Sequence, residues 1–385
     1  MYRLTPPSPR RPRIMLLIRN LSGGGAELVV ESLFTEFDRE ILDVSVCELH
    51  GHGEKAIALA EAGHTQIFSL NPTGGRLSVP ARLSRLWRLV RTQQIDLLHS
   101  HSTDALADAA ACRLLVPRVR LVHTFHFGNY PHHAPTHLRL ERIFHRFADQ
   151  LVAVGFGQAD AIARTYGIER SRIHVIWNGI KVRDGQVDHG LLSPYVGSGK
   201  VLIGTIGTLI PQKGHADLIA VAAEIKRLGL PALFLVVGWG PLHGELAAAV
   251  RDHGLADTVV FMGWVKDAAT TVLPGLDIFF QPSKWEAMSM VLLEAAVAGK
   301  AIVCTSVGEA RNVITHGRTG FIVAPGDIAS MTQALATLVR DRELRDALGS
   351  AARQDVLRRF TADQMVLQYT DLYRGILGIE ATRRN

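Results

Sequence analysis

Val201-Leu-Ile-Gly-Thr-Ile-Gly-Thr-Leu-Ile-Pro-Gln-Lys-Gly214 decides how this chain folds. Residues 201–206 are an aliphatic run of buried-strand length. Glycine, proline and a lysine follow, and residues 216–228 then repeat apolar side chains at helical spacing. A strand passing through a glycine-bearing turn into a helix is the repeating unit of a parallel sheet. The unit starts afresh here, because residues 181–200 hold four glycines with Asp, Ser and Pro among them and read as a linker.

Working outward, the same alternation covers both sides. Upstream, strands are expected at 14–18, 44–49, 95–99, 120–124 and 151–154, with helices at 26–37, 79–92, 105–115 and 136–147. Downstream, strands are expected at 233–237, 259–261, 278–281, 301–304 and 321–323. Helices are expected at 242–253, 328–339, 342–358 and 362–377. At 385 residues the chain exceeds one ordinary core. The pattern predicts an α/β protein of two doubly wound, Rossmann-like domains facing a cleft. Ligands of such sheets bind beyond the carboxyl ends of the strands.

Composition narrows the class. Apolar residues are 47% and charged residues 20%, as in soluble globular proteins. No apolar run approaches a membrane span. Residues 1–12 are basic and proline-rich, lack the apolar core of a signal peptide and read as a flexible tail. Three scattered cysteines, Cys47, Cys112 and Cys304, suggest a reducing, cytoplasmic setting with neither a disulfide framework nor a thiolate metal site. The net charge of +6 favours an anionic partner. No nucleic-acid motif accompanies it, so nucleic acid is not expected.

The chemistry concentrates in Ser283-Lys-Trp-Glu-Ala-Met-Ser-Met-Val-Leu-Leu-Glu294. Glu286 precedes an apolar run and Glu294 falls inside the helix that run forms. Between them lies a helix start, whose unpaired N–H groups favour an anion. Carboxylates for hydroxyl groups beside amides for a phosphate suit a nucleotide-sugar. The loop 207–214 adds glycines and Lys213 at another helix start. It is neither a Walker sequence nor a dinucleotide fingerprint, and alone it is equally a tight turn.

Gly207 through Lys213-Gly214, Gly238-Trp-Gly240-Pro241, and Pro282-Ser283 with Glu286 and Glu294 together resemble the donor half of the retaining glycosyltransferases of family 4, which have the GT-B fold. Gly263-Trp-Val265, Asp277-Ile-Phe-Phe-Gln-Pro-Ser283, and Thr319-Gly320 ahead of Pro325-Gly-Asp327 extend the resemblance. Gly23-Gly-Gly-Ala-Glu27 resembles the family's first loop and Asn178-Gly179-Ile180 the motif closing its first domain. The resemblance implies an acceptor-side domain at 13–182, a linker at 183–199, a donor domain at 200–361, and a final helix, 362–385, returning to the first domain.

The resemblance also assigns roles. Lys213, Glu286 and His126 would serve catalysis. Gly207, Thr208, Lys213, Gly238, Glu286, Ala287, Met288, Ser289, Met290 and Glu294 would bind the donor, with Glu294 on the ribose diol and Glu286 on the sugar. Gly23, Gly24 and Gly25 would line the phosphates or acceptor. No cofactor and no metal are implied. Three departures stand out. Thr208 replaces a common arginine, so half of a diphosphate clamp is missing or comes from elsewhere, such as Arg19. Ala287 and Ser289 replace frequent glycines, and a positive φ would be costly there. Lys181 replaces a frequent acid.

The histidines His99, His101, His123 and His126 fall at two strand ends facing the cleft. Sugar contact, structural burial and metal binding are all open to them, in that order. Tyr130-Pro131 and His132-His133 suit an acceptor-side loop or an ordinary surface loop. Arg82, Arg85, Arg88 and Arg91, with Arg139, Arg142 and Arg146, make two basic helices. These are either solvated faces or a surface for anionic lipid.

The implied function is a retaining hexosyl- or related transferase. It would move a sugar from a nucleotide-sugar to a saccharide or lipid-linked acceptor, in bacterial-type surface polysaccharide or glycolipid synthesis. It would be cytoplasmic, and peripheral on the inner membrane face. A nucleotide-sugar 2-epimerase of the same fold and a non-catalytic nucleotide- or lipid-binding homologue are the alternatives.

Overall fold

The computed structural model describes residues 10–75, 77–131, 134–182 and 189–379. Seven strands form the first sheet: β1 (Arg13–Ile18), β2 (Asp43–Glu48), β3 (Ile67–Ser69), β4 (Leu97–Ser100), β5 (Arg120–Phe125), β6 (Gln150–Ala153) and β7 (Ile173–Val175). Their order is β3-β2-β1-β4-β5-β6-β7. Six strands form the second: β8 (Val201–Ile206), β9 (Ala232–Val237), β10 (Val259–Gly263), β11 (Ile278–Gln281), β12 (Ala301–Thr305) and β13 (Phe321–Val323), in the order β10-β9-β8-β11-β12-β13. Every pairing is parallel. The strand order therefore reverses between β1 and β4 and between β8 and β11. Crevices open there at the carboxyl ends of the strands.

The central strands carry the unbroken apolar runs that two covered faces require. Ile14, Met15, Leu16 and Leu17 of β1 are wholly buried, as are Phe234 and Leu235 of β9. The edge strands β3 and β7 are three residues long and partly exposed, which is why periodicity missed them. The helices Glu54–Glu61 and Phe156–Tyr166 were likewise not anticipated.

The two halves meet through particular groups. Trp177 donates its indole N–H to Glu309 Oε2 at 2.9 Å, and Asn178 Nδ2 donates to the Met288 carbonyl at 3.2 Å. Gly128 lies so close to the second half that a Cβ there would meet Glu286 C at 2.1 Å and Ala287 N at 2.3 Å. From the other side Gly308, at φ +52°, presses on the same peptide. The chain crosses back after residue 360, where Ile180 N bonds to the Phe360 carbonyl. The last helix, Ala362–Leu377, buries Tyr369 and Tyr373. Their hydroxyls reach Thr124 of β5 and His99 of β4.

Two expectations need amendment. Residues 1–9 lie outside the described residues, but Arg10 to Pro12 are held in place: Arg10 pairs with Asp96 at 2.8 Å and the Pro12 carbonyl accepts from Asp43 N at 2.9 Å. The arginines of the helix Val79–Thr92 are not one basic face either. Arg82 forms a two-pronged ion pair with buried Asp108, and Arg85 donates to the Leu70 carbonyl at 2.6 Å. Arg88 and Arg91 remain exposed, Arg91 lying over the Trp87 ring. A side chain committed to a buried carboxylate cannot also serve a membrane. Of the linker, residues 183–188 lie outside the described residues, as do His132 and His133.

Candidate active site in the cleft

A cleft of ≈ 1440 Å3 opens between the two halves. That exceeds the roughly 300–1,000 Å3 of a single small-molecule pocket and leaves room for more than one ligand. It is lined from the first half by the loops after β1, β4 and β5, and from the second by those after β8 to β11.

Lys213 ends a single 3-10 turn, Pro211–Lys213, and Gly214 turns the chain at φ +67° into the next helix. A Cβ at Gly214 would stand 1.9 Å from the Pro282 carbonyl oxygen, so only glycine lets the loops after β8 and β11 touch. Their contact brings Lys213 Nζ to 2.7 Å from Glu286 Oε1. Ser283 Oγ donates to the same oxygen at 2.9 Å, and Gln212 Nε2 donates to Oε2 at 3.1 Å. Glu286 is thereby aimed by three donors. Gly238, at φ +138°, packs on Gly207: a Cβ there would meet the Gly207 carbonyl oxygen at 2.0 Å. Thr208 beside it is exposed.

The helix Met290–Val297 starts at this cleft wall. Ser289 caps it, accepting from Leu292 N at 3.3 Å and donating to Gln281 Oε1 at 2.7 Å. The remaining first-turn N–H groups have no intrahelical acceptor. Leu292, Leu293, Ala295 and Ala296 pack into the core, which turns Val291 and Glu294 towards the cleft. Neither Ala287 nor Ser289 adopts a positive φ. The glycines expected there are unnecessary, and the close approach is made instead by Gly128 and Gly308.

On the opposite wall, Gly23, Gly24 and Gly25 are exposed. A Cβ on Gly25 would lie 3.4 Å from Met290 Cγ, so this loop faces the helix start. Glu27 folds back on the Gly24 backbone, and burial pushes its carboxyl above the usual range. Arg19, at the end of β1, lines the cleft with no side-chain partner among the described residues. Three cleft lysines are paired instead: Lys55 with Glu31, Lys181 with Glu36, and Lys213 with Glu286.

The four histidines divide. His123 is buried against Ser100, with burial pushing its imidazole down to about 3. His99 is buried between Tyr373 and Thr124. His101 and His126 reach the cleft, and burial holds His126 down at about 4 and His101 well below the ordinary value. Among the described residues no group of three or more His, Cys, Asp or Glu is placed to hold a metal ion.

The reading of the residues missed several groups. Gln212 and Ser283 orient Glu286, Gly128 and Gly308 clamp its peptide, and Trp239 and Trp264 stand exposed on the cleft rim. Gln212, Ser283, Trp239 and Trp264 lie inside the motifs quoted above, but nothing local told their roles, and Gly128 and Gly308 lie outside those motifs.

Both halves of the chain are similar to known proteins. Residues 23–184 match the family described as Glycosyltransferase Family 4, and residues 196–355 match Glycosyl transferases group 1. A 2-deoxystreptamine N-acetyl-D-glucosaminyltransferase from Streptomyces fradiae is 29% identical over 74% of this chain and 71% of its own length. An N-acetyl-alpha-D-glucosaminyl L-malate synthase from Bacillus anthracis is 27% identical over 77% of this chain and 79% of its own length. Among solved structures, Anabaena HepE in complex with UDP and glucose superposes with a TM-score of 0.80. It covers 95% of this chain and all of that one, at 21% identity, and so speaks to the fold. The chain belongs to the family 4 glycosyltransferases and has their GT-B fold of two parallel-sheet domains enclosing a cleft.

Proposed function

We propose that this glycosyltransferase moves a hexosyl or related sugar from a nucleotide-sugar to a hydroxyl of a saccharide or lipid-linked acceptor, with retention and without a metal. The observation that carries the reading is Lys213 held on Glu286 beside the open helix start at Met290, with Glu294 on the cleft face of the same helix. Residues 200–361 take the donor and residues 13–182 the acceptor.

In this reading Glu294 accepts hydrogen bonds from both ribose hydroxyls. The diphosphate lies against Lys213, the first-turn amides of Met290–Val297 and the glycines 207 and 238, with Arg19 reaching from across the cleft in place of the arginine that Thr208 lacks. Glu286 and His126 hold hydroxyls of the transferred sugar. The bond from the anomeric carbon to the diphosphate oxygen breaks, the acceptor oxygen bonds to that carbon on the same face, and its proton passes to the leaving oxygen. Negative charge grows on the diphosphate as the bond breaks, where a preplaced cation acts most strongly. Closure of the two domains keeps water from the donor.

The setting proposed is bacterial surface-glycan or glycolipid synthesis, with the exposed Arg88, Arg91, Arg139, Arg142 and Arg146 near anionic headgroups. No helix among the described residues is long and apolar enough to cross a membrane. UDP is the first nucleotide to try, because the Anabaena complexes contain it. The test is a panel of UDP-, GDP- and ADP-sugars scored by thermal shift and donor hydrolysis. Stabilisation and slow hydrolysis by one donor are expected, with the released sugar unepimerised. An epimer formed from donor alone would point to a 2-epimerase, and binding without turnover to a non-catalytic homologue.

A further inference from the structure

Glu309 belongs to the second domain, in the loop after β12, yet its side chain ends on the first. Trp177 donates its indole N–H to Oε2 at 2.9 Å, and Asn312 Nδ2 donates to the same oxygen at 2.6 Å. The carboxylate stands where a side chain at Gly155 would begin: a Cβ there would lie 2.5 Å from Oε1 and 2.6 Å from Cγ. Gly155 has an extended backbone, φ −165° and ψ 155°, which any residue adopts. The incoming carboxylate, and not the turn, is what requires glycine here. Gly155 also precedes the helix Phe156–Tyr166, whose start has no side-chain cap of its own and favours a negative charge. Trp177 is gripped in turn, edge-on to Phe156 at 5.7 Å and tilted against Phe360 at 5.2 Å.

The backbone of residues 308 and 309 carries this seat to the loop that holds Glu286. Glu309 N–H donates to the Ala287 carbonyl at 2.9 Å. A Cβ on Gly308 would stand 2.2 Å from the Ala287 carbonyl oxygen and 2.5 Å from that of Glu286. Gly128 of the first domain closes on the same peptide, and Asn178, next to Trp177, holds the Met288 carbonyl. Glu309 is only 3% exposed, and a carboxylate so withdrawn needs partners. One of its two donors and the helix start belong to the other domain. Parting the domains would return the charge to water, so the contact adds little net free energy and serves mainly to fix geometry.

We infer that Glu309 is a positioning residue that couples the seating of the two domains to Glu286. Its carboxylate locks against Gly155 and Trp177, and its backbone then holds the Glu286–Ala287 peptide, so Glu286 is fixed when the domains close and loosened when they part. Glu309 is not among the residues lining the cleft, and it acts through the acid that is. The consequence for turnover rests on the proposed transferase reading, whereas the coupling of the seat to the Glu286 loop does not.

Hydrogen exchange read by mass spectrometry tests the coupling without substrate. Glu309→Ala, Gly155→Ala and Trp177→Phe break the seat from three positions, the last keeping an aromatic ring between Phe156 and Phe360. Each should speed exchange in peptides covering residues 283–292 and leave residues 232–237 of β9 unchanged. Adding Gly155→Ala to Glu309→Ala should change nothing further, because the methyl enters space the carboxylate has left. With UDP-glucose as the donor, hydrolysis by Glu309→Ala should turn over on the order of ten- to a hundredfold more slowly than by the parent. UDP affinity by calorimetry should change less than about twofold, separating a positioning effect from a general loss of structure. In a Glu286→Gln background the same substitution should cost little more, since the acid it positions is already gone. Unchanged exchange at 283–292 in the folded variants, or an equal loss of turnover with and without Glu286, would overturn the inference. Trp177→Phe, the mildest change, decides alone where the others fail to fold. A parent that hydrolyses no UDP-, GDP- or ADP-sugar would count against the transferase reading, and the exchange result would then decide the coupling by itself.

Discussion

Lys213 Nζ and Glu286 Oε1 form an ion pair, 2.7 Å apart, at the floor of the cleft. Glu286 keeps only 9% of its side chain exposed and Lys213 24%, so the pair is largely withdrawn from solvent. Each holds the other's charge until a diphosphate competes for the lysine.

That competition predicts opposite effects of the two charges on nucleotide binding. Lys213→Ala should lower turnover about 10²-fold, equivalent to ~3 kcal/mol of transition-state stabilisation, and weaken the nucleoside diphosphate. Glu286→Gln should also lose turnover, because the sugar is no longer held. Yet it should bind the diphosphate at least as tightly as the parent, because the lysine is freed. Calorimetric titration of both variants checks this; weaker binding in Glu286→Gln would contradict it.

Gly128 places the first domain against the Glu286–Ala287 peptide. In Gly128→Ala the new Cβ would meet backbone rather than a flexible side-chain tip, so the domains must separate there. A small misplacement of reacting groups costs on the order of 10²-fold in rate. Turnover should fall by about that factor while nucleotide binding, carried mainly by the second domain with Arg19 reaching across, falls much less. Equal losses in both would argue against a positioning role.

The Arg82–Asp108 pair predicts where the arginine-rich helix matters for folding. Asp108→Ala leaves a nearly buried guanidinium unpaired and should cost about 3 kcal/mol or more in urea unfolding. Arg88→Ala and Arg91→Ala should stay within about 0.5 kcal/mol, since both side chains lie at the surface.

Stability should fall on mild acidification. Burial depresses His123 to about 3 and His126, His145 and His215 to about 4, with His99 and His101 also far below 6.5. Between roughly pH 6.5 and 4 the unfolded chain binds protons that the native state refuses, so stability decreases as pH drops. Each such group contributes at most ~1.4 kcal/mol per pH unit. Glu27, Asp108 and Glu141, raised by burial, oppose the trend but are fewer. Urea midpoints should be level above about pH 7.5 and clearly lower near pH 5; a midpoint that rises on acidification would contradict this.

The alternation of strands and helices was legible because central strands buried on both faces must read as unbroken aliphatic runs. β3 and β7 were not, since strands of three residues are too short to carry a period. Glu286, Glu294 and Lys213 stood out because charge beside a helix start is local information. The partners that aim them were illegible for the opposite reason. Gln212 and Ser283 are ordinary polar residues until two loops touch, and Gly128 meets Glu286 only after a long stretch of chain has folded between them. Thr124 with Tyr369, and His99 with Tyr373, are joined across still greater separations. Arg82 misled because its carboxylate lies on another helix.

The central claim is that the cleft wall carrying Glu294 and Lys213 binds the nucleoside diphosphate of a sugar donor. Isothermal titration of the parent and of Glu294→Ala with UDP, GDP and ADP tests it most directly. One nucleotide should bind the parent and bind Glu294→Ala at least about tenfold more weakly, the loss expected when a carboxylate's hydrogen bonds to a diol, worth ~1.5–3 kcal/mol, are removed. No binding by any of the three, or equal affinity in parent and variant, would contradict the account.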